Sequence, residues 1–461
     1  CSFINKESFS NLVSNSNTSN SFKFINLYIQ YIMNEFKYNY SDYYKKDISM
    51  IKETNISINQ DRLWDSLMTM AKIGPGIAGG NNRQTVTVED GEARKLLQKW
   101  SEEAGMSMTV DELGSMFLKR EGTSKDALPV VIGSHLDTQP TGGKYDGVLG
   151  VLAGLEIIRT LNDLNIQTKH PIMIVNWTNE EGSRFPPAMM ASAGYAGIYD
   201  VKTLLSAKDA EGNVFGDELE KIGWKGSEPI GKQKIHSYFE LHIEQGPILE
   251  TEKIDIGVVT HGQGLKWLEV ELSGVEQHTG TTPMHVRKDT SLAMSEIILA
   301  VNNIANKNLP NALGTVGHIE VFPNSRNVIA GKSIFTIDFR SPDINKLDHM
   351  DNELRSIAKD ICKKYDVKLE INQIGGFDPV SFDKECLNHI RNSAKKFGYS
   401  FKDIISGAGH DACWINTVAP SAMIMCPCVD GLSHNEAEEI KPEWAASSTN
   451  VLLHAAIAAA N

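Results

Sequence analysis

Apolar and polar positions along the chain alternate in two styles, one of short buried strands between helices and one of half-buried strands. Leu128-Pro129-Val130-Val131-Ile132-Gly133-Ser134 is a short β-branched run, as expected of a strand buried on both faces. It ends in His135-Leu136-Asp137-Thr138, followed by the glycine-rich loop Thr141-Gly142-Gly143-Lys144-Tyr145-Asp146-Gly147. The next apolar positions predict a helix from Val148 to about Leu161. Pro171 to Trp177 predicts another buried strand, ending in Thr178-Asn179-Glu180-Glu181-Gly182. Strand, loop, helix, strand is a βαβ unit, and open α/β sheets bind ligands beyond the carboxyl ends of such strands. Upstream, an amphipathic helix is predicted to start at Arg62 behind Asp61 as its cap, and a second to run from Gly91 to Ala104.

The pattern changes after Gly246-Pro247. Trp267 to Leu272, Gly317 to Val321 and Ser333 to Arg340 alternate in the manner of half-buried strands, and Val367 to Ile371 supplies a further one. Helices are predicted at about Ser291 to Asn306 and Leu347 to Tyr365. Strands with two helices on one face make an α+β sandwich. The chain then returns to βα alternation through His389, His410 and His434, so the middle block reads as an insertion. The predicted division is an extension at 1–55, an α/β domain over 56–257 and 377–461, and an inserted α+β domain over 258–376. Residues 1–49 contain no Gly, Ala, Pro, Arg or Trp. They read as an Asn/Ser-rich disordered extension, or as translated upstream sequence ahead of Met50.

Composition narrows the class. With 41% hydrophobic and 22% charged residues, the chain is neither collagen-like nor wholly disordered. Its 45 Lys+Arg against 58 Asp+Glu give a formal charge of −13, and no basic stripe reverses it locally. Nucleic acid and anionic lipid are therefore not expected partners. No apolar run approaches the roughly 20 residues of a membrane-spanning helix. The six cysteines show no zinc-finger or CxxC spacing, which fits buried thiols in a reducing compartment, the cytoplasm.

Acids and imidazoles gather where buried strands end, and an unpaired charge there is costly. Further such settings are His242-Ile243-Glu244-Gln245, Gly409-His410-Asp411 and Ser433-His434-Asn435-Glu436. Taken singly each is more often structural; together they indicate an N/O metal site. His135 is a candidate ligand whose tautomer Asp137 would fix, and Asp146 can bridge two ions through its two oxygens. Of Glu180 and Glu181 one can ligate while the other serves as general base. No G-x-S-x-G or suitably placed cysteine offers a competing nucleophile.

The ordered set of motifs resembles the di-metal amidohydrolases related to aminoacylase and carboxypeptidase G. Within them it is most similar to the branch of N-carbamoyl-L-amino acid hydrolase, β-ureidopropionase and allantoate amidohydrolase. The residues that carry the resemblance are Gly133 to Pro140, Gly143 to Gly147, Asn179 to Phe185, His242 to Pro247, Gln277 to Pro283, Ser325 to Ile329, Ser406 to Asp411 and Asp430 to Asn435. The resemblance implies an α/β fold: a mixed-sheet di-metal catalytic domain with an inserted α+β sandwich lid domain used for dimerisation. It implies that His135, Asp146 and His242 hold one divalent ion and Asp146, Glu181 and His434 the other, the metal being Zn or Mn, with Co or Ni as alternatives. Glu180 then matches the general base. His278 matches a residue that reaches the partner subunit's site in a homodimer. Gln245, Asn327, Arg340 and His410 match substrate contacts, Arg340 as a fork for a carboxylate. Thr279 stands where relatives often have Ala. The implied reaction is hydrolysis of a small ureido substrate, an N-carbamoyl amino acid or 3-ureidopropionate. Allantoate or ureidoglycolate hydrolysis is the alternative; a non-catalytic binding protein of the same fold is disfavoured by the intact ligand set.

Overall fold

The computed structural model describes residues 56–461; the extension predicted at 1–55 lies outside the described residues. Helix α1 (Gln60–Met70) buries Leu63, Leu67 and Met70 and is capped by the Asn59 side chain, which accepts from the Arg62 amide. Asn59 thus takes the capping role expected of Asp61, which lies inside the first turn. Helix α2 (Val88–Glu103) is capped by Thr87. Strands β1 (Ser107–Val110), β2 (Met116–Arg120) and β3 (Val130–His135) precede helix α3 (Val148–Asp163) and strand β4 (Ile172–Trp177). Helix α3 is apolar nearly all round and buried accordingly. Strands β5 (Ser237–Ile243) and β6 (Ile256–Gly262) follow.

The chain then enters a second sheet. Strand β7 (Gly264–Ser273), helix α4 (Thr290–Lys307), β8 (Leu313–Phe322), β9 (Lys332–Ser341), helix α5 (Ile344–Tyr365) and β10 (Lys368–Phe377) come in that order. Their four strands pair antiparallel as β10-β7-β9-β8. Along β9, Ser333, Phe335, Ile337 and Phe339 face inward, and with Leu268, Val270 and Leu272 they meet α4 and α5 in one apolar core. A fully buried phenylalanine in such a core contributes about 2 kcal/mol. The other face of this sheet carries no helix among the described residues.

The chain returns to the first sheet through β11 (Val380–Ser381), helix α6 (Lys384–Phe397), β12 (Phe401–Ser406), β13 (Ser421–Cys426) and helix α7 (Pro442–Ala459). That sheet is mixed, with order β1-β2-β4-β3-β5-β13-β6-β11 and β12 also paired to β6. Its centre, β4-β3-β5-β13, is parallel, so the carboxyl ends of those strands share one edge. All six residues of β3, β4 and β13 are buried. Among the described residues no helix is long and apolar enough to cross a membrane. The described cysteines, Cys362, Cys386, Cys413, Cys426 and Cys428, are all free and buried.

Candidate metal centre

The parallel edge positions the polar groups. His135 is the last residue of β3, His242 the penultimate residue of β5, and Glu180 and Glu181 sit in the turn after β4. That turn starts at Asn179, in the left-handed region at φ 59° and tied down by its side-chain Nδ2 donating to the Phe185 carbonyl at 2.7 Å. Asp146 precedes α3, and the intervening Gly147 has φ 68°. A Cβ at Gly147 would collide with the His135 imidazole, so only glycine lets the loop close on the histidine.

Three histidine Nε2 atoms converge on the Asp146 carboxylate. On Oδ1, His242 Nε2 lies at 3.0 Å and His135 Nε2 at 3.8 Å. On Oδ2, His434 Nε2 lies at 3.4 Å, and it is also 3.4 Å from Glu181 Oε2. Two triads result, His135–Asp146–His242 and Asp146–Glu181–His434, with Asp146 common to both. The Nδ1 atoms of His135 and His242 are bound by the carbonyls of Asp137 at 2.9 Å and Ile243 at 3.0 Å. A carbonyl on Nδ1 fixes the proton there and leaves Nε2 as an acceptor. The buried Nε2 of His135 has no hydrogen-bond partner. A buried acceptor without a donor is costly unless a cation takes the place of one.

The electrostatics agree. Burial pushes the Glu181 carboxyl up to about 8 and Asp137 up to about 7, and neighbouring carboxylates add to both shifts. Glu180 is held well above the usual carboxylate range by burial and then by Asp411, Glu181, Asp137 and Asp146. Burial lowers His135 to about 4, so its imidazole is neutral, the form that ligates. His242 goes the other way, to about 9: burial opposes the charge, but Asp146 and Glu240 outweigh it. So many buried acids around three imidazoles form a site short of positive charge, which divalent cations supply. The donor set therefore fits them. Nitrogen and carboxylate ligands suit Zn and Mn alike.

Other residues support this cluster. The Asp137 carboxylate accepts from the amides of Glu180 and Glu181, both at 3.3 Å, while its carbonyl holds His135. Asp137 thus acts on the histidine through its backbone and on the Glu180–Glu181 turn through its side chain; the carboxylate stays 3.9 Å from His135 Nδ1. Gln245 Nε2 donates to Asp146 Oδ2 at 2.9 Å. The His410 ring packs against His242 at a tilt of 59° with ring centroids 4.4 Å apart, and its Nε2 pairs with Ser406 Oγ at 2.8 Å.

Sequence reasoning assigned no role to three further residues. Gln139 donates to Glu181 Oε2 at 2.6 Å, and Ser433 Oγ lies 3.0 Å from Asp146 Oδ2. Buried Glu438 accepts from the amides of Tyr145 and Asp146, each at 3.1 Å. Gln139 and Ser433 lie within the recognised motifs, which was their only signal; Glu438 had none.

A family model for peptidase family M20/M25/M40 matches residues 131–458. This chain belongs to that family. An N-carbamoyl-L-amino-acid amidohydrolase from Rhizobium meliloti is 60% identical over 403 residues, covering 87% of this chain and 97% of the relative. A ureidoglycolate hydrolase from Arabidopsis thaliana is 32% identical over 410 residues, covering 87% and 86%. Among solved structures, an amidase of the hydantoinase/carbamoylase family from Burkholderia multivorans superposes with a TM-score of 0.84 at 50% identity, covering 88% of this chain and 98% of that one.

Three predicted site residues lie on the second sheet and its loops. His278 and Asn327 are exposed and adjacent, the Thr279 amide donating to the Asn327 carbonyl at 3.1 Å. Neither belongs to the two triads. Arg340 is about 31% exposed and pairs with Asp338 at 2.9 Å, while its Nη1 donates to the Gly407 carbonyl at 2.9 Å. It thereby bridges the second sheet to the loop leading into His410.

Proposed function

We propose that this chain is a metal-dependent hydrolase that cleaves the ureido group of N-carbamoyl-L-amino acids. One water is consumed, and the products are the free amino acid, ammonia and carbon dioxide. The observation that carries the reading is the two triads sharing Asp146, in a chain 60% identical over 403 residues to an N-carbamoyl-L-amino-acid amidohydrolase.

In this reading residues 56–257 and 377–461 form the catalytic domain and residues 258–376 the lid. His135, Asp146 and His242 hold one divalent cation, Zn or Mn, and Asp146, Glu181 and His434 hold a second. A ureido carbonyl is a poor electrophile because nitrogen donates into it from both sides; cations bound there supply Lewis acidity toward its oxygen and acidify water. Glu180 takes the proton from the attacking water and delivers it to the departing nitrogen. The raised affinity of its carboxyl for a proton suits that exchange. Asp137 keeps Glu180 and His135 in place. Arg340 receives the substrate carboxylate, and Gln245, Asn327 and His410 line the remainder. The exposed positions of His278 and Asn327 fit a homodimer in which His278 serves the partner subunit's site. Five free, buried thiols fit a cytoplasmic setting.

The test is ammonia release from N-carbamoyl-L-amino acids, N-carbamoyl-β-alanine and allantoate by the metal-loaded enzyme, beside Glu180→Gln. Turnover of a carbamoyl amino acid that the substitution abolishes supports the reading. Turnover of allantoate alone moves the enzyme to ureide hydrolysis, and release from none of them refutes the substrate class.

A further inference from the structure

Four of the seven residues in the loop Gly74-Pro75-Gly76-Ile77-Ala78-Gly79-Gly80, after α1, are glycine. The amides of this loop surround one carboxylate, that of Glu436, two residues beyond His434. Its Oε1 accepts from the Ile77 amide at 3.2 Å, and its Oε2 from the amides of Ala78 at 2.5 Å and Gly80 at 3.1 Å. Backbone N–H groups turned inward in this way form a nest for an anion. Ile77 at the tip is 100% exposed, so packing does not seat the loop there. The fit is close. A Cβ on Gly76 would overlap the Glu436 carboxylate, and one on Gly80 would stand 2.6 Å from Glu436 Cα.

Three loops meet at this point. The Asn81 amide donates to the Gly142 carbonyl at 2.9 Å and the Gly142 amide to the Asn81 carbonyl at 3.0 Å, which joins the glycine loop to the loop of Asp146. Buried Asn81 also donates through Nδ2 to the carbonyls of Ala71 at 2.8 Å and Gly74 at 2.9 Å, anchoring the base of the glycine loop to the end of α1. Glu436 fastens the third segment, that of His434, to this anchored pair.

His434 is the ligand candidate with the weakest hold of its own. The imidazoles of His135 and His242 are buried, and each has its Nδ1 on a backbone carbonyl. The His434 side chain is 51% exposed, and among the described residues its hydrogen-bond contact is at Nε2, with Gln245. Its backbone lies in the left-handed region at φ 52°, a conformation that a residue other than glycine keeps only where its surroundings impose it. The place of Nε2, 3.4 Å from both Asp146 Oδ2 and Glu181 Oε2, is therefore set through the backbone.

We propose that Glu436 is a positioning residue for the second ion: seated in the nest of loop 74–80, it holds the His434 backbone so that Nε2 reaches the cation shared with Asp146 and Glu181. The inference rests on the two-ion reading above and adds a residue outside both triads. The Asn81–Gly142 pair does not involve Glu436, so Asp146 and the first ion keep their places without it.

The experiment follows stepwise Zn binding by competition with a chromophoric chelator, with circular dichroism recorded for each protein. It compares the unmodified chain, His434→Ala, Glu436→Ala, Gly76→Ala and the double variant of the last two. His434→Ala identifies the second binding step. Gly76 does not have a positive φ, so alanine there acts by displacing the Glu436 carboxylate. Loss of an outer support of a ligand typically weakens metal binding 10- to 100-fold. Glu436→Ala and Gly76→Ala should each weaken the second step by tenfold or more and leave the first within about threefold. The double variant should bind no more weakly than Glu436→Ala, because both changes empty the same nest. An unchanged second step in either folded single variant overturns the proposal. So does equal weakening of both steps, or a double variant whose loss is the product of the single losses. If Glu436→Ala does not fold, Gly76→Ala decides by the same criterion. An unmodified chain that takes up fewer than two ions, or two ions that His434→Ala leaves in place, overturns the two-ion reading itself.

Discussion

Glu438 offers the sharpest test of how the metal centre is held. It is 2% exposed, and its Oε1 accepts from the Tyr145 and Asp146 amides at 3.1 Å each, while Oε2 receives Ser433 Oγ at 3.1 Å. One carboxylate thus joins the loop of Asp146 to the loop of His434. Gly143 packs against that carboxyl so closely that a Cβ there would overlap it. In Glu438→Ala two buried amides lose their acceptor, each left unsatisfied at a cost of about 1–3 kcal/mol, part of which entering water recovers. Losing an outer support of a metal ligand typically costs 10- to 100-fold in metal affinity, about 1.4–2.8 kcal/mol. So if roughly half of the local loss reaches Asp146 and His434, affinity falls into that range. Glu438→Gln keeps the Oε1 acceptor, and its Nε2 can donate to Ser433 Oγ, freeing the Ser433 proton for Asp146. It should bind within about threefold of the unmodified protein. The assay is competition with a chromophoric chelator for Zn and Mn, which needs no turnover. An Ala variant with unchanged affinity, or a Gln variant as weak as Ala, would show that the hydrogen-bond reasoning is wrong.

Other expectations follow from the same geometry. Adding a divalent cation at 100 times its dissociation constant should stabilise the metal-free protein by about 2.7 kcal/mol, seen as a higher Tm that His135→Ala reduces; an unchanged Tm refutes the site. Glu180→Gln should lower kcat by 10²- to 10⁴-fold while chelator competition still reports bound metal, and loss of binding would recast Glu180 as a ligand. Arg94 is buried, pairs with Asp90 at 2.9 Å and donates to Thr178 Oγ1 at 3.1 Å below the Glu180 turn. Arg94→Leu should cost about 3–5 kcal/mol in urea unfolding, with part regained on adding Asp90→Leu; an effect under 1 kcal/mol counts against a tight pair. Burial pushes the Asp111 carboxyl from 3.8 up to about 7, so between those values the folded state keeps a proton the unfolded chain has released. Stability then falls as pH rises through that window, and Asp111→Asn should flatten the fall between about pH 4 and 7; an unchanged slope refutes the assignment.

The division into two sheets was legible because their periodicities differ. Runs such as Val130 to Ser134 are apolar throughout, whereas β9 alternates residue by residue. Strands β1, β2, β5, β6, β11, β12 and β13 were not predicted, since their pairing is decided by neighbours distant in sequence. The cap of α1 was misplaced by two residues because Asn59 and Asp61 are equally good capping types, and only the position of the first turn chooses between them.

The centre itself was legible to the extent that its chemistry resides in side chains at strand ends. His135, Glu180 and Glu181 could be placed from the pattern alone, because a polar group at the end of a buried strand has one edge to occupy, whereas His242 was reached through its motif. What holds those groups acts across the chain and through the backbone, and no periodicity records it. Glu438 binds amides 292 and 293 positions away. Asp137 was singled out for its carboxylate but holds His135 by its carbonyl, an atom every residue possesses. Asp146 shows where the two kinds of information meet. Its two oxygens suggest a bridge from residue type alone, and the fold directs Oδ1 to His135 and His242 and Oδ2 to His434, Gln245 and Ser433. Because each oxygen already has its own set of neighbours, a shift of the Asp146 loop should weaken both triads together. Glu438→Ala applies that shift without touching a proposed ligand.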